Sequence, residues 1–418
     1  MYRRKELTEL VEISSRFLLE RLERNIEDYP FIDTKFNIRT GEDFSVTDEY
    51  FRQHDHIYGW IQGRGLESLA GHAAYFERAN DMELALRFDR ILLRLVSSLE
   101  DMRQRMGGRL TFAFSEEGKK HFDTAAICAN YTDIFYTKGL YAAASRLGMT
   151  AAAEYAVSRL DEIGRDIFER RFASDQYMFD PANRGGGKPG KYSQGPLMIF
   201  LGATALTGKF DTAEKFIRFI LDNHLNHGQF SGLPYGSFVE ALDADNNPWT
   251  EDDGKIICDP GHALEFTGLA AKNLVQMRKI PQYSGFAAEA ARTLAELFCR
   301  VFDAGFQKSG GIMKALDPAT GMPVNTDAPW WSLPESMRAA ALLAELYPPA
   351  KEELQKRTAL MTDAFFNNYI SNGKYGFACQ TCDVNGVPVD VIPAVPDADP
   401  LYHTNLPVID ALDVSALN

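Results

Sequence analysis

Ile312-Met313-Lys314-Ala315-Leu316-Asp317-Pro318-Ala319-Thr320-Gly321 runs a short apolar strand into an Asp-Pro and Gly turn, and three further segments repeat that pattern. They are 110–118, 238–246 and 375–386, each ending in the acidic or glycine turn that reverses a strand, so all four read as β-hairpins. Between them the apolar residues fall at i, i+3 and i+4, the spacing of one buried helix face. This holds over 7–22, 82–106, 125–147, 151–171, 197–207, 212–223, 261–277, 287–302, 336–346 and 351–369. With the Gly- and Pro-rich stretch 180–196 as a fifth connector, such elements recur about every 60 to 75 residues with about two helices between them, the period of stacked helical pairs.

About six pairs fit the 418 residues, and the expected fold is all-α: a closed (α/α)6 barrel, or toroid, with short β-hairpins on one rim. An open solenoid is the alternative. Closure is preferred because residues with chemical potential are scattered from the first quarter of the chain to its end, and only a ring gathers them. No linker composition marks an internal boundary, so 1–418 reads as a single catalytic domain.

The net charge of −14 and the absence of a long Lys/Arg run argue against nucleic acid and anionic membranes as partners. No signal-peptide core or 18-residue apolar span appears, which reads as a soluble, cytoplasmic chain. Five irregularly spaced cysteines point to reduced thiols. Cys379-Gln380-Thr381-Cys382 has no second ligand pair to complete a zinc site, so its cysteines read as ordinary strand residues.

Two histidines carry the chemistry. His262 lies in Asp259-Pro260-Gly261-His262-Ala263-Leu264-Glu265, where Pro and Gly signal a helix start and Glu265 falls on the same face, able to orient or polarise the imidazole. His403 lies in Tyr402-His403-Thr404-Asn405, a stretch bracketed by prolines and expected to be a fixed loop. Imidazoles titrate near neutrality, so two across one cleft can take a proton from carbon and return it. Trp60-Ile61-Gln62-Gly63-Arg64 sets an aromatic face and a guanidinium within one helical turn, a pairing suited to a sugar, and Trp330-Trp331 with Glu335 repeats the theme. His54 and His56 form a possible His-x-His metal pair, which ranks below a solvated loop.

Taken together, Trp60 to Arg64, Tyr131-Thr132-Asp133-Ile134-Phe135-Tyr136, Pro260 to Glu265, Trp330-Trp331 with Glu335, and Tyr402-His403 resemble the N-acylglucosamine 2-epimerase superfamily along nearly the whole chain. The resemblance implies an isomerase, either a sugar 2-epimerase or an aldose-ketose isomerase. It would act on a free reducing sugar without metal or cofactor, removing the C2 proton to give a cis-enediol. By that match His262 and His403 form the acid/base pair, Arg64 polarises the oxygen where charge develops, and Glu265 holds His262 or a substrate hydroxyl. Trp60, Tyr131, Trp331 and Glu335 would line the sugar site. The chain departs from the family at Ile199, where many members carry a histidine, and at Thr404-Asn405, where relatives often show Pro-Arg; both departures point to an unusual substrate. A glycoside or unsaturated uronyl hydrolase using paired carboxylates among Asp133, Asp259, Glu265 and Glu335, and a non-catalytic sugar-binding protein, are the rival readings. The sugar is the expected partner, and a homodimer is compatible with the sequence.

Overall fold

The computed structural model describes residues 2–122, 128–176 and 187–414. Among them, helices alternate between an inner and an outer ring. The inner ring is α2 (Gly59–Arg78), α4 (Tyr131–Arg146), α6 (Gly195–Thr207), α8 (Pro260–Met277), α10 (Ser332–Leu346) and α12 (Asn405–Asp413). Each packs on the next, and α12 returns to α2, which closes the ring. The outer ring is α1 (Arg4–Asn25), α3 (Met82–Arg105), α5 (Thr150–Phe168), α7 (Phe210–Asn223), α9 (Pro281–Gly305) and α11 (Lys351–Ala364). An ion pair between Arg3 and Asp363 at 3.3 Å ties α1 to α11. The protein is an (α/α)6 barrel.

Composition sorts the helices into their rings. Outer α7 buries Ala213, Phe216, Ile217, Ile220 and Leu221, a single stripe against the barrel. Inner α6 is apolar on every side and buries Leu197, Met198, Phe200, Leu201, Ala203 and Ala205, as a helix enclosed all round must. Small residues set how closely inner helices approach. A Cβ at Gly139 would lie 2.1 Å from the Gly63 carbonyl oxygen, and one at Gly63 would lie 2.4 Å from the Phe135 carbonyl carbon, so α2 and α4 touch backbone to backbone.

The inner helices start on one rim, where short strands tie their N-termini together. β1 (Ile57–Tyr58) before α2 pairs with β2 (Ala113–Phe114), which precedes α4. β3 (Tyr192–Ser193) before α6 pairs with β4 (Ala241–Leu242), and β7 (Ala328–Pro329) before α10 pairs with β8 (Thr381–Cys382). β5 (Ala315–Asp317) and β6 (Met322–Asn325) form the hairpin expected at 312–321. The other three expected hairpins do turn back, through bridges such as Leu242 to Pro248 and Cys382 to Pro388, but each also takes a partner strand from a distant part of the chain.

Two helices escaped the sequence reading. Trp60 to Arg64 lie inside the first turns of α2 rather than ahead of a helix, and the segment after His403, read as a loop, becomes α12. The helix expected over 125–147 starts at Tyr131, where Asn130 and Asp133 form a reciprocal capping box; 125–127 lie outside the described residues. Most of the connector 180–196 also lies outside them. No helix among the described residues is long and apolar enough to cross a membrane.

Glycine packing makes a paired prediction. Gly139→Ala forces α2 and α4 apart and should lower unfolding free energy by about 1–3 kcal/mol. Gly285→Ala, on the exposed side of α9 with nothing within 4 Å of the added Cβ, should raise it by up to about 1 kcal/mol. Urea or thermal unfolding of the two variants checks both signs.

Candidate active site

Because the inner helices begin level, each successive turn forms a layer about 5 Å deeper in the barrel. The first layer is aromatic. Trp60 and Tyr131 meet at 5.4 Å between ring centroids, and Trp331 stands between the two histidines, 5.4 Å from His262 and 5.9 Å from His403. The second layer holds Arg64, Phe135, Ile199, Glu265 and Glu335, with His403 entering from the loop before α12. The third is ionic: Lys138 lies 3.0 Å from Glu67, Arg338 pairs with Glu335 and lies 3.7 Å from Asp410, and Lys272 lies 2.8 Å from Asp410. A cavity of about 840 Å³ opens beside Tyr131 and His262, walled further by Phe172, Tyr192, Ser193 and Leu242.

His262 is held at the start of α8 by local capping. Asp259 accepts from the His262 backbone N–H at 3.2 Å, and Pro260 occupies the first helical position. Nδ1 of His262 lies 3.1 Å from Glu240 Oε1 and 3.3 Å from Asp259 Oδ2. Burial opposes its charge, but Asp259, with Glu240 behind it, outweighs both burial and the nearby Lys314 ammonium, so its pKa is raised. Glu240 itself is held down at about 2, where the His262 charge overcomes burial.

His403 rests on an unusual turn. Leu401 adopts a left-handed backbone, φ 63°, which turns the chain inward. Asp399 Oδ2 then accepts from the backbone N–H of His403 at 3.0 Å and from Thr404 N and Oγ1 at 3.2 Å each. Nδ1 of His403 donates to Glu335 Oε1 at 2.9 Å. Here burial prevails, helped by the Arg64 guanidinium, and the pKa falls to about 4 although Glu335 pulls the other way.

Both imidazoles are therefore gripped at Nδ1 by carboxylates, which assigns the proton to that nitrogen and leaves Nε2 to act. Their biases are opposite: the surroundings lower the pKa of His403 to about 4 and raise that of His262. Arg64 is buried and makes no hydrogen bond among the described residues; its guanidinium lies 4.2 Å from the Phe135 ring centroid, 5.3 Å from Trp60 and 5.7 Å from Tyr402. Held only by π faces, its donors remain available to an oxygen.

The structure brings all eight expected site residues to one end of the barrel but redistributes their contacts. Glu240 and Asp259, not Glu265, hold the His262 ring, and Glu335, expected to line the sugar site, grips His403 and Arg338. Glu265, Glu335 and His403 put three ligand-type atoms within 4.8 Å of one another. Arg338 pairs with Glu335, and His403 Nδ1 donates to it, so two of the three groups already have partners. His54 lies 3.6 Å from Asp33, while His56 is buried and stacked 3.7 Å from His121, so the two rings serve different partners and His56 does not lie in solvent.

Several site residues were missed by sequence reasoning. Arg338 and Lys138 carried a signal, a cation inside an otherwise apolar helix, whereas Glu240 sat unremarked in the hairpin segment 238–246. Asp175 was also overlooked: its buried carboxylate accepts from Trp60 Nε1 at 3.3 Å and from Thr132, and burial raises its pKa to about 6.

Fold and family together make this an isomerase-class enzyme. A family model for N-acylglucosamine 2-epimerase matches residues 131–406, and the chain belongs to that family. Among solved structures, D-mannose isomerase matches with a TM-score of 0.65 at 16% identity, covering 94% of this chain and 97% of that one. Cellobiose 2-epimerase from Bacillus thermoamylovorans matches at 0.62 and 14%, covering 95% and 99%. A sugar epimerase from a ruminal bacterium matches at 0.61 and 12%, covering 85% and 87%. No curated protein matches the chain by sequence.

The opposed histidine environments predict two separated titrations. In a pH series of histidine Cε1–H NMR signals, His262 should titrate above an ordinary histidine and His403 near 4. Glu240→Gln keeps an acceptor beside Nδ1 but removes the charge, so the His262 midpoint should move down while that of His403 stays. A stationary His262 midpoint would show that Glu240 does not set its charge.

Proposed function

We propose that the protein is a 2-epimerase or aldose-ketose isomerase acting on a free reducing sugar through proton transfer at C2. The observation that carries this reading is the pair of imidazoles on either side of Trp331, each oriented by a carboxylate and biased to opposite protonation states. Neutral His403 takes the C2 proton through Nε2. Negative charge then develops on O1, and the unbonded, buried Arg64 guanidinium meets it. Charged His262 supplies a proton from the other side, to C2 for an epimer; for a ketose the proton goes to C1 while the O2 hydroxyl proton passes to O1 and the C2=O2 bond forms. Trp331, packed against both rings, holds the sugar between them.

The hydrolase reading is weaker on this geometry. Paired carboxylates act on a glycosidic bond when one is free to attack or to activate water. Glu335 is occupied by Arg338 and His403, Asp259 by His262 and Asp133 by Arg109, so Glu265, which makes no hydrogen bond among the described residues, has no free second carboxylate in this set to complete a pair.

Proton NMR in deuterium oxide with a panel of reducing sugars tests the proposal, because loss of the C2–H signal reports the first step whatever the product. His262→Asn and His403→Asn should each lower turnover by about 10² to 10⁴-fold while sugar binding persists. Near-wild-type turnover in both variants would remove the two-histidine mechanism.

A further inference from the structure

Glu265 is the one carboxyl in the second layer that its neighbours leave unused. It is 5% exposed and makes no hydrogen bond among the described residues. Every acidic group around it is engaged: Glu240 and Asp259 with His262, Glu335 with His403 and Arg338, Glu67 with Lys138, and Asp399 with the turn at His403 and Thr404. An unbonded carboxylate at such depth is costly, and the charge of Glu335 beside it adds repulsion. The neutral acid is the form this place favours. Its pKa, raised to about 7 by burial first and Glu335 second, agrees, with His262, Arg338 and Arg64 pulling the other way. Neighbouring Arg64 is the unbonded guanidinium, and at the same depth α6 presents only the apolar Ile199, so Glu265 is the acid/base group left over once each histidine has one nitrogen committed.

A cyclic sugar must open before its C2 proton becomes acidic, and opening moves protons between oxygens rather than from carbon. We propose that Glu265 opens the ring as a neutral carboxylic acid working through both oxygens at once. One Oε gives its proton to the ring oxygen O5 while the other Oε takes the proton of the anomeric hydroxyl O1. The C1–O5 bond breaks, the C1=O1 bond forms, and Glu265 ends as a carboxylic acid with its proton on the opposite oxygen. Electrons and protons balance without a co-reactant. O1 and O5 share one carbon, as the two Oε atoms do, so one carboxyl spans both. The same motion in reverse closes the product ring. This inference rests on the sugar-isomerase reading above.

Ring opening has its own readout, the interconversion of α and β anomers, followed by exchange NMR alongside C2–H exchange on the same reducing sugars. The wild-type protein should accelerate anomer exchange, and Glu265→Gln, which keeps size and polarity, should return it to the buffer rate, a loss of about 10²-fold or more. If circular dichroism shows that Gln disturbs folding, Glu265→Asp keeps the carboxyl but withdraws it by one methylene and should lose anomer exchange while still binding sugar. A folded variant of either kind that exchanges anomers at the wild-type rate overturns the inference, as does a wild type that exchanges C2–H without accelerating anomer exchange. Anomer exchange without C2–H exchange would instead sink the isomerase reading and leave the ring-opening role standing; neither exchange on any sugar of the panel overturns both.

Discussion

The level start of the inner helices is the constraint on which the rest of the structure depends. Backbone pairing of β1 with β2, β3 with β4 and β7 with β8 fixes neighbouring N-termini at one height, and close contact at Gly63 and Gly139 fixes spacing where α2 meets α4. Residues one turn apart on separate helices then share a layer without any local sequence relation. That is how Arg64, Glu265 and Glu335, on α2, α8 and α10, come to face one another across the barrel. The same level start points the positive ends of the helices at the mouth, where Asp259 caps α8 and Asn130 caps α4.

Charges deeper in the barrel follow from what the second layer requires. Two imidazoles must be fixed in orientation, which takes carboxylates, and buried carboxylates must in turn be neutralised. Arg338 answers Glu335, Asp410 lies near Arg338, and Lys272 answers Asp410, a chain of ion pairs running from His403 to the outer part of α8. Removing Glu335 or Arg338 would strand a buried partner, whereas Asp410 and Lys272 reach solvent in part. The opposite biases of the histidines come from the same source: His262 stands 30% exposed between two carboxylates, whereas His403 is enclosed with two guanidinium groups nearby.

Much of this was legible in the sequence because it is written in periodicity and in short motifs. Helical spacing gave ten of the helices, recurring turns gave the rim, and the contexts of His262 and His403 singled out two rings that the structure sets on either side of Trp331. What escaped has physical reasons. α2 carries Gly59, Gly63, Gly65 and Gly71 and mixes polar with apolar residues on every face, since both sides are enclosed, so no amphipathic stripe marks it. α12 has only nine residues and a proline in its first turn. Strand pairing between β1 and β2 links segments more than fifty residues apart and leaves no local trace. Glu240 carries no signal of its own within the hairpin segment because its partner lies on a helix that begins twenty residues later.

The two departures from the family pattern differ in kind. Thr404 and Asn405 are structural in this chain: Trp330 Nε1 donates to Thr404 Oγ1 at 3.2 Å, and Asn405, fully buried, reaches Ser14, Ser15 and His72 and so anchors the start of α12 to α1 and α2. They hold His403 in place from behind. Ile199 is different, because it removes a polar group from the second layer and packs against both apolar clusters of the barrel. An apolar side chain there takes up no hydrogen bond and offers none, so the polar side chains at this depth come from α2, α8, α10 and the loop before α12.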